Sequence, residues 1–260
     1  MIRSLYTTIS GMITQEAKQN VIANNMANSN TVGFKSDDLA IKKFDDVLIQ
    51  NRSNIQYGKN YPQTIGSLSL GSRIDETATD FTQGNIQNTD SNTDFAIDGR
   101  GFFTVNRDNG AGGQNYYTRD GHFHVNMQGY LVNDSGDYVM GRNINTGNQE
   151  RIMVGNGQII SDAYGNVSIA GKPSYSLSTV DFNNYRTLKK VGDNLYQGEN
   201  PITNTNIFVK QKALEQSNIN PVNEMVNMMS TMRTFETQQK VVQSIDETLG
   251  QAVNDVGTVK

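Results

Sequence analysis

The stretch from residue 222 to residue 256 has the sequence VNEMVNMMSTMRTFETQQKVVQSIDETLGQAVNDV. Its apolar residues recur at gaps of three and four, first over residues 222–232 and, after a phase slip, again over residues 242–256. Such spacing places an apolar seam along one side of an α-helix, the side that packs against another helix. The stretch therefore predicts a long helix that needs a partner.

The limits of this helix are also marked in the sequence. Asn220 can cap a helix, Pro221 fits the first helical position, and Glu224 favours the positive end of the helix dipole. We expect the helix to begin there and to end near Gly257.

The N-terminus has the same pattern, which predicts a helix from Ile2 to Asn28 followed by a turn at Gly33. One seam contains Ile2, Leu5, Ile9 and Met12, and a second, overlapping seam contains Ile13, Ala17 and Val21. A helix that is apolar on two faces usually packs on more than one neighbour.

Two interpretations of these terminal helices stay open. They can cover a β region of their own domain, or they can pair with each other and with other subunits. The second is favoured because the seams match each other and polar connectors separate them from the middle of the chain. The predicted subunit-interface residues are Leu5, Ile9, Met12, Ile13, Asn24, Asn25, Asn28, Val222, Met225, Met229, Met232, Val242, Ile245 and Leu249.

The middle of the chain predicts β-structure. From residue 71 onward, short alternating runs such as 101–105 and 166–169 are separated by Asp-Gly and Asn-Gly turn residues. Residues 36–70 are interpreted as a short helix or strand followed by an extended connector, because they are rich in Asn, Gln, Ser and Gly. The fold class is therefore α+β.

Composition excludes several classes of function. The net charge is −4 and 18% of the 260 residues are charged, so a nucleic-acid partner is not expected. The absence of Cys excludes disulfides, thiolate nucleophiles and Cys-based zinc sites. No stretch is long and apolar enough for membrane insertion, and residues 1–14 lack the features of a cleaved secretory signal.

Two groups of residues have side chains of the kind that bind metal ions. His122 and His124 point to one face of a predicted strand, but zinc sites need three or four ligands, so solvent-facing histidines are the favoured interpretation. Residues 133–137 resemble part of a calcium loop without its distal Glu, so turn residues are favoured. No metal and no cofactor is expected.

Catalysis is not expected either. The Gly-rich stretches at 99–101 and 110–113 lack the Lys and the strand-to-helix setting of a phosphate-binding loop. No nucleophile elbow is present, and no carboxylate pair can be assigned from the sequence. The sequence predicts that the protein is not an enzyme.

Four motifs carry a resemblance to a known family. They are Ala23–Asn28 with Thr31–Lys35, Asp94–Phe103, Tyr117–Phe123, and Ser217–Met228 followed by Arg233, Phe235 and Glu236. In this order they resemble the flagellar basal-body rod and hook proteins across nearly the whole chain. Phe235 stands where the family commonly has Tyr, and Pro221 interrupts a stretch that is usually acidic.

The resemblance implies a fold and a domain organisation. The terminal helices would pair as a coiled-coil-like axial core domain, and a central all-β domain would decorate it. The expected segments are the N-terminal helix (1–35), a connector (36–70), the β-domain (71–206), an extended return (207–219) and the C-terminal helix (220–260).

The resemblance also implies a structural function. The chain would polymerise into the flagellar rod of the basal body as a helical homo-oligomer and contact neighbouring rod and hook subunits. It would cross the cytoplasmic membrane through the flagellar type III export apparatus without a cleaved signal. Length and the motif at 117–121 favour a distal rod type. The alternatives are a proximal rod or hook type, a β-rich surface adhesin, and a β-domain hydrolase that acts on glycans.

Overall fold

The computed structural model describes residues 2–51, 55–56, 59–60, 63–108, 113–155, 157–203 and 207–257. The described chain contains two α-helices at its ends, with strands and one short 3₁₀ helix between them. The chain divides into two compact units. Unit 1 contains residues 1–26, 37–78 and 221–260, and unit 2 contains residues 27–36 and 79–220. The fold is α+β, as the sequence predicts.

Both terminal helices are confirmed. Helix α1 covers Ile2–Ala27 and helix α2 covers Pro221–Gly257, so Pro221 occupies the first helical position as expected. Gly33, in the turn after α1, has a φ of +66°, a backbone conformation that favours glycine.

Unit 1 also contains strands. They are β1 (Asp37–Lys43), β2 (Val47–Asn51), β3 (Ile55–Gln56), β4 (Lys59–Asn60), β5 (Gln63–Leu68) and β6 (Ser72–Thr79, whose last residue belongs to unit 2). They pair as β1 with β6, β2 with β5, and β3 with β4. Much of the predicted connector at 36–70 is therefore strand, because Asn, Gln and Ser in it alternate with enough apolar residues to pair. The predicted domain boundaries stay predictions.

Unit 2 contains the remaining strands. They are β7 (Ile86–Asn88), β8 (Phe95–Asp98), β9 (Phe102–Arg107), β10 (Gln114–Thr118), β11 (Phe123–Val125), β12 (Leu131–Asn133), β13 (Tyr138–Asn143), β14 (Gln149–Arg151), β15 (Ile159–Ser161), β16 (Asn166–Ile169), β17 (Lys172–Leu177), β18 (Thr179–Val180), β19 (Lys189–Gly192), β20 (Leu195–Gln197), β21 (Phe208–Gln211) and β22 (Ala213–Glu215). The 3₁₀ helix covers Tyr185–Thr187.

A large antiparallel sheet forms the body of unit 2. Its path runs β15-β16-β17-β13-β9-β10-β20-β19, with β11, β12, β14 and β18 paired at its sides. Strand β21 pairs with β8, and β22 pairs with β7, so the last strands of the unit complete its first ones. The segment 207–219, predicted as an extended return, contains these two strands, β21 and β22.

Strand β9 is buried on both faces, which explains why the apolar residues Phe102 and Phe103 are adjacent in a run that otherwise alternates. Phe103 and Val105 belong to the main core cluster with Phe123, whereas Phe102 belongs to a second cluster with Phe182 on the other face. A strand that is covered on both sides needs apolar residues at consecutive positions instead of alternating ones.

Strand β11 confirms the predicted alternation at its histidines. Phe123 is fully buried, whereas His122 and His124 on either side of it have about half of their side chains exposed. No described helix is long and apolar enough to span a membrane.

Candidate assembly interface

Helix α2 has one partly covered face, and this face runs along most of its length. Its residues are Met228, Thr231, Phe235, Gln238, Val242, Ile245 and Leu249, at strictly alternating gaps of three and four. We call these residues the covered seam. The covered seam runs from Met228 to Leu249 without a phase slip. Two of its positions are the polar residues Thr231 and Gln238, which do not belong to the apolar pattern of the sequence.

A second apolar face of α2 is exposed. It contains Val222, Met225, Val226, Met229 and Met232, whose side chains are exposed to between 43% and 67%. We call these residues the exposed stripe. The phase slip in the apolar pattern of the sequence therefore marks the change from the exposed stripe to the covered seam, which lie on two different faces of α2. Among the described side chains of α2, Thr231 alone is buried.

Helix α1 is also divided into a covered and an exposed side. Ile22 and Asn25 are buried and Thr14 is 3% exposed, whereas Tyr6 and Ile13 are 65% and 55% exposed. Together with Ile9, which is 39% exposed, Tyr6 and Ile13 form an apolar stripe at gaps of three and four. This stripe is the α1 counterpart of the exposed stripe on α2.

Strands β1 and β6 cover α1 through specific polar contacts. The Asn25 amide donates to the Asp37 carbonyl at 2.9 Å and its carbonyl oxygen accepts from the Asp37 N–H at 3.0 Å. The Ser72 N–H donates to the Ser10 hydroxyl at 3.3 Å, and a Cβ at Gly71 would collide with this hydroxyl. These contacts order α1 within its own chain.

The two helices approach each other at Gly11. A Cβ at this position would lie 2.8 Å from the side-chain nitrogen of Gln238, which belongs to the covered seam. The buried Oε1 of Gln238 has no hydrogen-bond partner among the described residues. Pairing of α1 and α2 along a coiled coil stays a prediction.

The predicted interface residues fall into three classes of exposure. The exposed ones are Ile9, Ile13, Asn24, Val222, Met225, Met229 and Met232, the half-buried ones are Leu5, Met12, Asn28, Val242, Ile245 and Leu249, and Asn25 is buried. The Asn25 amide is already bonded within the chain, so its conformation is fixed by Asp37. Contact of these residues with another subunit stays a prediction.

Unit 2 contains a buried cluster of three charged residues. Two of them, Lys35 and Glu215, lie in the segments that follow α1 and precede α2. The Lys35 ammonium lies 2.5 Å from Glu215 Oε1, and the Arg119 guanidinium lies 3.1 Å from Glu215 Oε2. The three side chains are at most 1% exposed. Lys35 also donates to the Thr82 carbonyl at 2.7 Å, and Glu215 accepts from the Gly84 N–H at 2.9 Å.

Burial has a direct electrostatic cost in this cluster. It lowers the pKa of Lys35, the nearby Arg119 charge lowers it further, and the Glu215 carboxylate opposes both by raising it. The charge of Arg119 also lies over the face of Phe102, 5.3 Å from the ring centroid. The cluster is tolerated because its one anion touches both cations.

The turn at Gly33 brings Lys35 to the cluster. The Gly33 N–H donates to the Glu215 carbonyl at 2.7 Å, and a Cβ at Gly33 would lie 2.5 Å from the Asp120 nitrogen. The Asn218 side chain adds a second link. Its oxygen accepts from the Ser36 N–H at 2.9 Å, and its nitrogen donates to the Asp80 carbonyl at 2.9 Å. Segments 33–36 and 215–218 are thus joined in unit 2.

Sequence reasoning missed this cluster. In the sequence, Lys35 and Arg119 are members of two of the family motifs, and Glu215 lies two residues before a third. The available signal was that Lys35 directly follows Val-Gly-Phe and Glu215 directly follows Ala-Leu, so each charge stands at the end of an apolar run.

A second group of ionisable residues surrounds the histidines. His122 Nδ1 lies 2.9 Å from the buried Asp94 carboxylate, and Asp134 lies within 4 Å of both histidines. Burial raises the pKa of Asp120 to about 6, helped by the charges of Asp134 and Asp94 and opposed by the His122 N–H. Within the described ranges, no three such side chains are placed to hold a metal ion.

One open cavity of about 520 Å³ in unit 2 bears on the hydrolase alternative. Its described lining includes Arg142, Gln149, Tyr164, Asn166 and Ser176, and no carboxylate is among the described lining residues. The described lining residues therefore do not supply the pair of acids that glycoside hydrolysis needs.

Comparison with known proteins identifies the family. Three protein-family models match the chain. Residues 5–35 match the family 'Flagella basal body rod protein', and residues 96–171 match the family 'Flagellar hook protein FlgE/F/G D1 domain'. Residues 210–255 match the family 'Flagellar basal body rod FlgEFG protein C-terminal'. A flagellar basal-body rod protein FlgG of Buchnera aphidicola (subsp. Schizaphis graminum) is 33% identical over 96% of this chain and 98% of its own length. The chain belongs to the flagellar basal-body rod protein family.

Two further relatives show how evenly the similarity extends over the rod family. The FlgG protein of Bacillus subtilis is 32% identical over 98% of this chain and 99% of its own length. The FlgF protein of Caulobacter vibrioides is 31% identical, and the alignment covers 100% of both chains. The resemblance predicted from the four motifs is thereby confirmed.

The buried charge cluster generates a stability prediction. We expect Glu215→Gln to destabilise the protein by about 3–5 kcal/mol, because two buried cations then lose their anion. Lys35→Met should have a similar effect, and the double variant should lose much less than the sum. Denaturation of the full chain by urea measures all three.

The matched control removes an exposed ion pair. Lys210 and Asp98 lie 2.7 Å apart with about half of each side chain exposed, so Asp98→Asn should cost less than about 1 kcal/mol. Equal losses for Asp98→Asn and Glu215→Gln would contradict the assigned role of the cluster.

Asp120 generates a prediction about pH. Its folded pKa of about 6 lies above the ordinary value of 3.8, so its contribution to stability is complete below pH 4 and is lost as the pH rises through 6. Asp120→Asn should therefore be more stable than the unmodified chain at pH 7.5, by about 1–3 kcal/mol. Urea denaturation at pH 5 and pH 7.5 measures the difference.

Exposed Asp90 offers the control for this experiment. Asp90→Asn should change the stability by less than about 0.5 kcal/mol at either pH. A difference between Asp120→Asn and the unmodified chain that does not grow from pH 5 to pH 7.5 would disprove the assignment.

Proposed function

We propose that this chain is a structural subunit of the rod of the bacterial flagellar basal body. It polymerises through its terminal helices into a drive shaft that transmits torque from the motor to the hook. The observation that carries the proposal is the presence of two apolar faces on α2, one covered within the chain and one exposed. Family membership supplies the biological setting.

The exposed stripe is large enough to drive association. A Val or Met side chain that is fully buried stabilises a structure by about 1.5–3 kcal/mol relative to full exposure. The five residues of the exposed stripe, each about half exposed, therefore offer several kcal/mol to an assembly that covers them. A monomer gains none of this free energy.

The occupant of the exposed stripe is a second copy of the chain. The α1 stripe of Tyr6, Ile9 and Ile13 has the same spacing and lies on a different helix from the α2 stripe. Packing of the α1 stripe of one copy on the α2 stripe of the next is a head-to-tail contact, and repeated head-to-tail contacts build an open helical filament. The covered seam pairs α2 with α1 inside each copy as a coiled coil.

Within the rod, we place the chain in the distal part. The FlgG relatives from Buchnera and Bacillus support this position, and the full-length match to a FlgF protein favours a proximal rod type as the second candidate. The partners are neighbouring rod and hook subunits and the type III export apparatus, which passes the chain across the cytoplasmic membrane without cleaving a signal. We assign no catalytic activity.

The two faces of α2 give a test of assembly. Met229→Asp should abolish polymerisation and leave the urea stability of the monomer unchanged, because Met229 is exposed in the free chain. Leu249→Asp and Leu5→Asp should also block incorporation, with a loss of helix order, since both are half-buried. The readouts are motility and the presence of the chain in purified hook–basal bodies.

Ser230, an exposed polar residue next to Met229, gives the control. At about 100° per residue it points to a different side of the helix from Met229, so Ser230→Asp adds the same charge outside both apolar faces and should assemble normally. Motile cells with Met229→Asp in their rods would refute the proposed interface.

The terminal helices are expected to be less stable in the free subunit than in the assembly. The described part of α2 buries one residue, so we expect the helices at 2–28 and 222–256 to be marginally stable in the monomer, with frequent opening, and to become firmly ordered on assembly. Hydrogen exchange should be fast in both segments and slow in the core strands of unit 2. Strong protection of both segments in a verified monomer would count against coupled folding and assembly.

A further inference from the structure

Methionine is concentrated at one place in the chain. Four of its ten methionines, Met225, Met228, Met229 and Met232, fall within eight residues of α2. Leu and Ile would supply the same apolar surface, so the physical property that distinguishes this segment is the thioether sulfur, which can be oxidised.

The structure divides these four methionines by exposure. Met225, Met229 and Met232 belong to the exposed stripe and are 51%, 53% and 43% exposed. Met228 is adjacent in sequence but lies on the covered seam and is half-buried. Oxidation of methionine follows exposure, so the first three should react before the fourth.

We propose that Met225, Met229 and Met232 form an oxidation site that controls polymerisation of the chain. The oxidant is a peroxide such as hydrogen peroxide, and the product is methionine sulfoxide. This inference rests on the proposed function, because it assigns a chemical control to the same exposed stripe that the assembly covers.

The reaction balances without any further reagent. A thioether sulfur attacks one peroxide oxygen, the O–O bond breaks, an S=O bond forms, and the other oxygen leaves as water. The sulfur is oxidised by two electrons and the peroxide is reduced by two. Methionine sulfoxide reductases reverse the step with a thiol reductant such as dithiothreitol: two thiols are oxidised to a disulfide, the sulfoxide returns to the thioether, and its oxygen leaves as water.

Oxidation acts on assembly and leaves the monomer intact. The new oxygen is a hydrogen-bond acceptor, and burying it in an apolar contact without a donor is unfavourable. In the free chain the same oxygen faces water, so it costs nothing there. One or more sulfoxides on the exposed stripe should therefore raise the monomer concentration needed for polymerisation at least about tenfold.

The test uses the full-length monomer and hydrogen peroxide. Peptide mass spectrometry follows oxidation at each methionine, and sedimentation measures polymerisation before and after treatment. We expect Met225, Met229 and Met232 to react before Met228, oxidised chain to stay in the supernatant, and methionine sulfoxide reductases to restore sedimentation. Failure of the untreated chain to polymerise would overturn the proposed function and this inference with it.

A partly oxidised sample of the unmodified chain shows which methionines affect polymerisation when they are oxidised. Sulfoxide at Met225, Met229 and Met232 should be enriched in the unpolymerised fraction. Sulfoxide at Met127 and Met153, which are exposed in unit 2, should be equal in both fractions. Equal distribution at all five positions would overturn the inference and leave the proposed function standing.

Two sets of variants complete the design. Met225→Leu/Met229→Leu/Met232→Leu keeps the apolar surface and should polymerise after peroxide treatment, whereas Met127→Leu/Met153→Leu should stay as sensitive as the unmodified chain. Equal sensitivity of the two sets would place the controlling sulfur elsewhere and refute the assignment.

Discussion

The buried carboxylate of Glu215 is the interaction on which unit 2 depends. It accepts from Lys35, Arg119 and the Gly84 N–H, and these groups come from segments far apart in the chain. A buried ion pair adds little net stability compared with apolar residues of the same size, but the loss of one member leaves charges that nothing compensates. The cluster therefore acts mainly as a specificity device, because compact arrangements that separate its members bury a bare charge.

The two units use apolar surface in opposite ways. In unit 2, strand β9 is covered on both faces, so Phe102 and Phe103 are both fully buried within one chain. In unit 1, α2 leaves a whole apolar face in contact with water. In the proposed assembly this division has a purpose: unit 2 supplies the stability of the chain, and the exposed face of α2 supplies the driving force for association.

The sequence predicted the parts of the fold that depend on local periodicity. Both helices, the strands around Phe103 and Phe123, and the turn at Gly33 follow from spacing and turn chemistry. Of the strands at 37–68 only one short helix or strand was predicted, because the polar composition of the remaining residues is typical of a connector. The single covered seam was missed because Thr231 and Gln238 interrupt its apolar pattern. Pairing between distant segments, such as Lys35 with Glu215, has no local signal.

The position of Glu215 in the chain has a consequence for any process that delivers the protein one end first. When the N-terminal part emerges, Lys35 and Arg119 are present without their anion, and strands β7 and β8 lack their partners β22 and β21. Unit 2 cannot close until about four-fifths of the chain has arrived, as the contact between residues 35 and 215 requires. We therefore expect unit 2 to complete its fold only when delivery of the chain is almost finished.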